Sequence, residues 1–414
     1  MKQFVGFFVV SIMAFAHAHY ELSMFDLTIV GQISHADGLG RLPIGLTAAL
    51  KDSITINHIK TPGMHVFKDV PVEVKKILTH YNKTPGNVAL LFDILWAHKV
   101  IPSRSVPKKS LIKIAYSMIE GTRIPTQWVK ILNETFDLVV VPDSFYEPVY
   151  KKSGVTIPIF VLPHGIEIES LLKRSRPERN PKRFIFGTSA AYWPRKNFEK
   201  LLEAFGREFS NESGVELHLH GRTSSERYMN MLKKIRLRYR DAKISMRKKK
   251  LSKKEYEDFL SSLDCYVLLS KGEGFSVTPR EALALGIPCI ITNNTAHQTL
   301  CRTGYVYPVE STSAQPAFYA HLGTWGEQFN CSIEDVQKAL REMYENYDYY
   351  REKALLGRQW VESYTWSQLQ KKWLSLIKPH TILLGQENLP LDDTLITNSP
   401  AFYAKYEKLI AGSV

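Results

Sequence analysis

Residues 270–292 read SKGEGFSVTPREALALGIPCIIT: a polar entry, a helix-length run and a β-branched closing strand. This segment constrains the fold more than any other, because both ends of its helix are legible. Thr278 stands where an N-cap belongs, Pro279 at the first helical position, and Glu281 at the third, which completes a capping box. Gly286 offers a C-terminal stop and Pro288 bars continuation. The prediction is a strand–turn–helix–strand unit that aims a helix N-terminus over the edge of a sheet. Free N–H groups and the helix dipole make such an end attractive to phosphate. Two glutamates, Glu273 and Glu281, frame the turn with seven residues between them. Capping accounts for Glu281 almost as well as ligand binding does. Glu273 sits between Gly272 and Gly274 with no helix to cap, and is the more telling of the two.

The rest of the chain supplies the units that such a segment needs. Residues 27–33 read as a strand that runs through Gly31 into a glycine-bearing turn, with Gly38 and Gly40, and then a helix to Leu50. That is the opening of a nucleotide-binding-like α/β domain, in which glycines let backbone approach a ligand closely. The spacing is neither Gly-x-Gly-x-x-Gly nor a P-loop. Strand patterns at 88–94, 111–116, 138–141 and 155–162 alternate with helices at 128–134 and 146–152, the second stopped by Gly154. The series breaks at Pro163-His164-Gly165. A basic, proline-punctuated stretch before Arg183 reads as a domain boundary. A second series then opens at Phe184, with helices at 198–209, 225–238 and 253–263 and strands at 215–220, around 244 and at 265–269. The last helices cover 333–344, 349–361 and 366–377. Such alternation predicts an α/β chain of two Rossmann-like parallel-sheet domains facing across a cleft. Their bounds are 26–168 and 183–362, with 363–414 returning to the first domain as a helix and then a tail.

At the N-terminus, one lysine precedes an apolar run over 4–16 and the small-x-small site Ala16-His17-Ala18. Residues 1–18 have the anatomy of a secretory signal peptide or a membrane anchor, with a buried first strand as the plainer alternative. The segment points to the secretory pathway, the periplasm or a membrane, or to the cytoplasmic face of one if it is retained. The four cysteines, Cys265, Cys289, Cys301 and Cys331, form no Cys-x-x-Cys pair, so neither a zinc site nor a disulfide framework is expected. Formal charge is +13, from 54 basic and 41 acidic residues, which favours anionic partners. Much of it gathers between Lys233 and Lys254, where Asp241 is the single acid. That cluster reads either as a solvated face or as a contact for an anionic membrane surface or acidic acceptor. Specific nucleic-acid binding is disfavoured because the cluster lacks the repeated aromatic interleaving of stacking platforms, with Tyr239 its single aromatic residue.

The second series offers three groups for a ligand held in the cleft. Arg195 and Lys196 lie between its first strand and a helix, where a guanidinium and an ammonium can neutralise a diphosphate. The alternative is a polar loop in which Asn197 caps the next helix. Gly221-Arg222 ends the strand 215–220 and leaves room for a flat base. Glu281 has the two oxygens needed to accept from both hydroxyls of a ribose.

Together these residues resemble the GT-B glycosyltransferases, specifically the retaining family-4 group. The resemblance rests on Glu273-Gly274-Phe275-Ser276-Val277-Thr278-Pro279-Arg280-Glu281 with its Ala-Leu-Ala-Leu-Gly-Ile-Pro continuation. The Arg195-Lys196-Asn197 turn, Pro163-His164-Gly165 and Ser363-Tyr364-Thr365-Trp366 also fit. It implies a nucleotide-diphosphate sugar as donor, with no cofactor and no metal. Lys196 and Arg195 would take the diphosphate and Glu281 the ribose. Glu273 with Gly274, Phe275 and Ser276 would hold the sugar, and Gly38 to Gly40 would pass near the phosphates. Glu120, His98 and His164 are the candidates for sugar or acceptor contact, the acceptor being a glycan, a lipid or lipid-linked acceptor, or a small molecule. The chain departs from the family at Gly187-Thr188-Ser189, where an arginine is usual. Two other classes stay open: a non-catalytic binder on the same scaffold, and a basic protein of membrane surfaces or polyanions.

Overall fold

The computed structural model describes residues 23–34, 38–63, 65–80, 82, 84–97, 100–174, 180–222 and 225–377. The signal-like segment, His98 and the tail beyond Ile377 lie outside them. The first sheet has six parallel strands: β1 (Leu27–Gly31), β2 (Ile56–Lys60), β3 (Val88–Phe92), β4 (Ile112–Tyr116), β5 (Leu138–Val141) and β6 (Ile159–Val161). The second has β7 (Phe184–Ser189), β8 (Val215–His220), β9 (Lys243–Arg247), β10 (Cys265–Leu268), β11 (Cys289–Asn293) and β12 (Tyr307–Glu310). A two-stranded antiparallel ribbon, β13 (Ser313–Tyr319) and β14 (Gly323–Asn330), follows. Helices of the first half are α1 (Arg41–Leu50), α2 (Val72–Thr79), α3 (Thr126–Thr135), α4 (Tyr146–Ser153) and α5 (Glu169–Leu172). Those of the second are α6 (Phe198–Phe209), α7 (Glu226–Arg238), α8 (Lys253–Ser261), α9 (Val277–Ala284) and α10 (His297–Arg302). The chain then runs through α11 (Ile333–Glu345), α12 (Tyr347–Val361) and α13 (Trp366–Ile377).

Strand order explains where a ligand would sit. The first sheet runs β2-β1-β3-β4-β5-β6 and the second β12-β11-β10-β7-β8-β9. In each, the winding direction reverses once, between β1 and β3 and between β7 and β10. A crevice opens at the carboxyl ends of strands on either side of such a reversal. The central strands are apolar throughout because helices cover both faces: all five residues of β1 and of β3 are buried. β9, at the edge of its sheet, has only Ile244 buried.

The last described helix returns to the first sheet. Trp373 of α13 is fully buried against Phe92 and Tyr116, and its indole N–H donates to the Pro163 carbonyl at 3.3 Å. Trp366 lies between Gly45 of α1 and Gly165, and a β-carbon added at either glycine would land inside its indole. Gly45→Ala is therefore expected to cost about 1–3 kcal/mol through overpacking, read as a lowered denaturation midpoint. An unchanged midpoint would show that α13 gives way freely.

Several boundaries differ from the sequence reading. The predicted strand over 155–162 shortens to β6, since Pro158 precedes it and Pro163 follows. The ribbon was not anticipated, and its Gly323 and Gly326 both take positive φ, at 84° and 65°. The capping box at Thr278 does not form. Helix α9 begins two residues earlier, with Ser276 at the N-cap in left-handed backbone and no side-chain cap. Thr278 instead accepts a hydrogen bond from the Tyr266 hydroxyl at 2.8 Å. Gly286, at φ 65°, does end the segment as expected. Asn197 occupies the N-cap position of α6 but does not cap it; its amide donates to Asn330 Oδ1 at 2.9 Å. The cysteines are free, with Cys265, Cys289 and Cys331 buried.

Candidate active site

The two loops flanking the second reversal meet. After β7 the chain makes a short 3-10 turn, Pro194–Lys196, and after β10 it runs through Gly272 to Ser276 into α9. Arg195, Lys196 and Glu273, predicted separately, converge there. Lys196 Nζ donates to Glu273 Oε1, and Arg195 Nη1 stands 3.2 Å from the same oxygen. Arg195 also holds the loop backbone, donating to the Gly272 carbonyl at 2.6 Å. From the first domain Glu120 meets Arg195 Nη2 at 3.0 Å. The cluster is largely shielded, with side-chain exposures of 7% for Glu273, 15% for Lys196 and 24% for Arg195. Burial alone would favour a neutral Glu273, but Lys196 and then Arg195 outweigh it and hold the carboxyl well below the usual range.

The Gly272–Ser276 loop is fixed from several sides. The Glu273 amide donates to Thr295 Oγ1 at 2.8 Å, and its carbonyl accepts from the Tyr146 hydroxyl at 2.7 Å. Ser276 is at φ 65°, a conformation that costs a non-glycine residue unless its surroundings enforce it. Here they do. Arg280, fully buried, donates to the Phe275 carbonyl and to that of Ser276, and its guanidinium lies 3.9 Å over the Phe275 ring. The Ser276 hydroxyl meets His297 Nε2 at 2.7 Å while His297 Nδ1 reaches the Thr292 carbonyl at 3.0 Å. A neutral imidazole, donor at Nδ1 and acceptor at Nε2, satisfies both bonds. Among the described residues, none accepts from the amides of Gly274, Phe275 and Ser276.

Glu281 is the second carboxylate, buried and far from any capping duty. Its Oε2 accepts from the Tyr256 hydroxyl at 2.5 Å and its Oε1 meets Arg41 of the first domain at 3.3 Å. Other predicted contacts lie nearby but have structural work of their own. His164 is buried, its ring 4.3 Å from that of Phe275. Gly221 is required by the Ala190 carbonyl, into which a β-carbon would run, and Arg222 accepts through its carbonyl from the Tyr192 amide at 2.9 Å. Gly40 faces the backbone of Ser34, whereas a β-carbon at Gly38 would meet none of the described residues. Four groups were missed: Arg41, Tyr256, His297 and the ribbon. Arg41 directly follows the glycine turn, which was its signal; the other three had none. The ribbon's Gln328 donates to the Glu120 carbonyl at 3.1 Å, and the Glu327 amide donates to Thr122 Oγ1 at 2.9 Å, so it ties the second domain to the loop bearing Glu120.

Burial makes the protein sensitive to acid in a defined order. His58, His164 and His297 are each depressed by desolvation to about 4. Against an ordinary value of ~6.5, the unfolded chain takes up these protons first, so stability falls as pH drops from ~6.5 towards ~4, by up to roughly 3 kcal/mol per ring. The contribution of the depressed Glu273 is lost only below the ordinary glutamate range of ~4.3. Denaturant melts between pH 7 and pH 4.5 are expected to show this early loss, and His297→Gln to reduce it. A flat profile would contradict neutral buried rings.

Comparison with known proteins places these features in context. Residues 171–315 match the family model of glycosyl transferases group 1. A probable sucrose-phosphate synthase of Thermosipho melanesiensis is 24% identical over 231 residues, which is 55% of this chain and 49% of that protein. The chain thus spans about half the length of this curated relative. Among solved structures, a glycosyltransferase from Rickettsia africae ESF-5 aligns with a TM-score of 0.62 at 15% identity, over 87% of this chain and 98% of that one. Alr3699/HepE of Anabaena, solved with UDP and glucose, aligns with a TM-score of 0.58 at 11% identity, over 86% and 99%. At these identities the structural likeness is one of fold.

Proposed function

We propose that this chain, a GT-B glycosyltransferase of group 1, moves a hexose from a nucleotide-diphosphate sugar to a glycan, lipid-linked or small acceptor, with retention and without a metal. The observation that carries the reading is the convergence of Arg195, Lys196 and Glu273 at the reversal of the second sheet, with Glu120 facing them. Lys196 and Arg195 bind the diphosphate, Glu281 the ribose, and Glu273 with the amides of Gly274, Phe275 and Ser276 the sugar. Cleaving the anomeric C–O bond leaves positive charge on the sugar and a second negative charge on the terminal phosphate of the departing diphosphate. Two fixed cations and the start of α9 stabilise that anion where it forms, in the role a divalent ion would otherwise fill. In a front-face attack the leaving phosphate oxygen takes the acceptor's proton, so no separate base is needed. Isothermal titration with UDP, ADP and GDP tests the donor site, and mass spectrometry of products from a donor panel tests transfer. Absence of binding by every diphosphate, with tight binding of heparin, would replace this reading by that of a polyanion binder.

A second surface supports docking of this enzyme on an anionic membrane. Lys233, Lys234, Arg236, Arg240, Lys248 and Lys250 are exposed on α7 and around the edge strand β9. Leu237, 72% exposed, lies among them as an apolar residue able to enter a headgroup layer. Co-sedimentation with phosphatidylserine vesicles is expected, and Lys233→Glu combined with Lys234→Glu is expected to abolish it. Equal binding to neutral vesicles would contradict the electrostatic account.

A further inference from the structure

The donor-site reading above leaves Arg41 without a role, although it bridges the two domains at the carboxylate assigned to the ribose. It is the first residue of α1, directly after the turn bearing Gly38 and Gly40. A cation there opposes the helix dipole, so its position is not one that helix stability selects. Its Nη1 stands 3.3 Å from Glu281 Oε1 while Tyr256 holds Oε2, so both carboxylate oxygens are occupied before any ligand arrives. The two partners differ sharply in surroundings: the Arg41 side chain is 42% exposed and that of Glu281 only 6%. The carboxylate is the buried partner, and the guanidinium is the one on a long stem open to the cleft side.

We infer that Arg41 is a first-domain ligand for the donor's diphosphate, parked on Glu281 in the absence of donor. The inference rests on the assignment of Glu281 to the ribose. Ribose hydroxyls and Arg41 compete for the same Oε1, so nucleotide entry displaces the guanidinium. The incoming diphosphate then offers it a stronger, bidentate anionic partner at the cleft entrance. This exchange supplies a guanidinium to the phosphates of a chain that has Gly187-Thr188-Ser189 where its relatives' resemblance leads one to expect an arginine. It also means that the donor draws the domains together through a residue of each, and that Glu281 is never left buried without a partner.

Isothermal titration tests this with the best-binding diphosphate among UDP, ADP and GDP, using the full chain and its variants Arg41→Ala, Arg41→Lys, Glu281→Gln and the double variant Arg41→Ala/Glu281→Gln. Arg41→Ala is expected to weaken the diphosphate roughly 10- to 100-fold, Arg41→Lys less, and the loss is expected to persist in the Glu281→Gln background. A loss that vanishes in that background would make Arg41 a holder of Glu281 only, and no loss in either would remove it from the site; both overturn the inference. Failure of the donor-site reading itself would appear earlier, as a wild-type chain that binds none of the three.

Discussion

Glu273→Ala is expected to lower kcat by at least ~10²-fold and to destabilise the protein by about 3–5 kcal/mol, the larger of any single-site effect considered for this chain. The reason lies in the charge balance of a shielded cluster. Among the described residues, Glu273 is the one anion paired with both Lys196 and Arg195, and Glu120 pairs only with the latter. Removing the carboxylate leaves two neighbouring cations, of which Lys196 loses its partner outright. An anion that enters the gap should repair the folding defect without repairing catalysis. Thermal melts of the variant are therefore expected to rise with inorganic pyrophosphate by more than those of the wild type, while turnover stays low. Glu273→Gln, which keeps the shape and removes the charge, is expected to behave the same way. Wild-type turnover in either variant would take Glu273 out of the site, and equal response to pyrophosphate would refute the electrostatic explanation.

The second large effect separates a cation and a carboxylate by the step each serves. Lys196→Ala is expected to lower kcat by ~10²–10³-fold with little change in donor KM, because its charge acts most strongly when the leaving diphosphate gains its last negative charge. Glu281→Ala is expected to raise donor KM with a smaller effect on kcat, since ribose contacts are the same in ground and transition states. Initial-rate kinetics with varied donor would check both. Matched losses in kcat and KM for the two variants would mean that they act on one event and would void the division of roles.

Most of the architecture was legible because it rests on local regularities. Buried parallel strands appear as short apolar runs, and helices with one buried stripe as apolar residues at helical spacing, so 198–209 and 138–141 agree with α6 and β5 residue for residue. Gly154 and Gly286 could be read as stops because each needs a positive φ that glycine alone takes without strain. The capping box at Thr278 misled because its sequence signature describes a helix start, whereas packing chose an earlier one. Arg280 and His297 hold Ser276 in left-handed backbone; the first lies within the signature but has no part in a capping box, and the second is 21 residues away. The ribbon escaped notice since its strands alternate weakly and carry glycines that read as loop.

The Glu273 to Glu281 segment was informative by itself in one respect: it required a helix to start beside a carboxylate with nothing local to bind. Residue types and their order along the chain were enough to define two parallel-sheet domains and the loops that approach a ligand, because buried strands alternate with crossover helices; the strand order and its reversal points came from the tertiary structure. What only the tertiary structure decided is the pairing of charges across those loops. Arg195 bridges Glu120 and Glu273, and Arg41 finds Glu281 240 residues away. Such choices depend on the distance and shielding of side chains brought together from separate elements, and Coulomb energy in a shielded cleft varies too steeply with both for any local pattern to encode it.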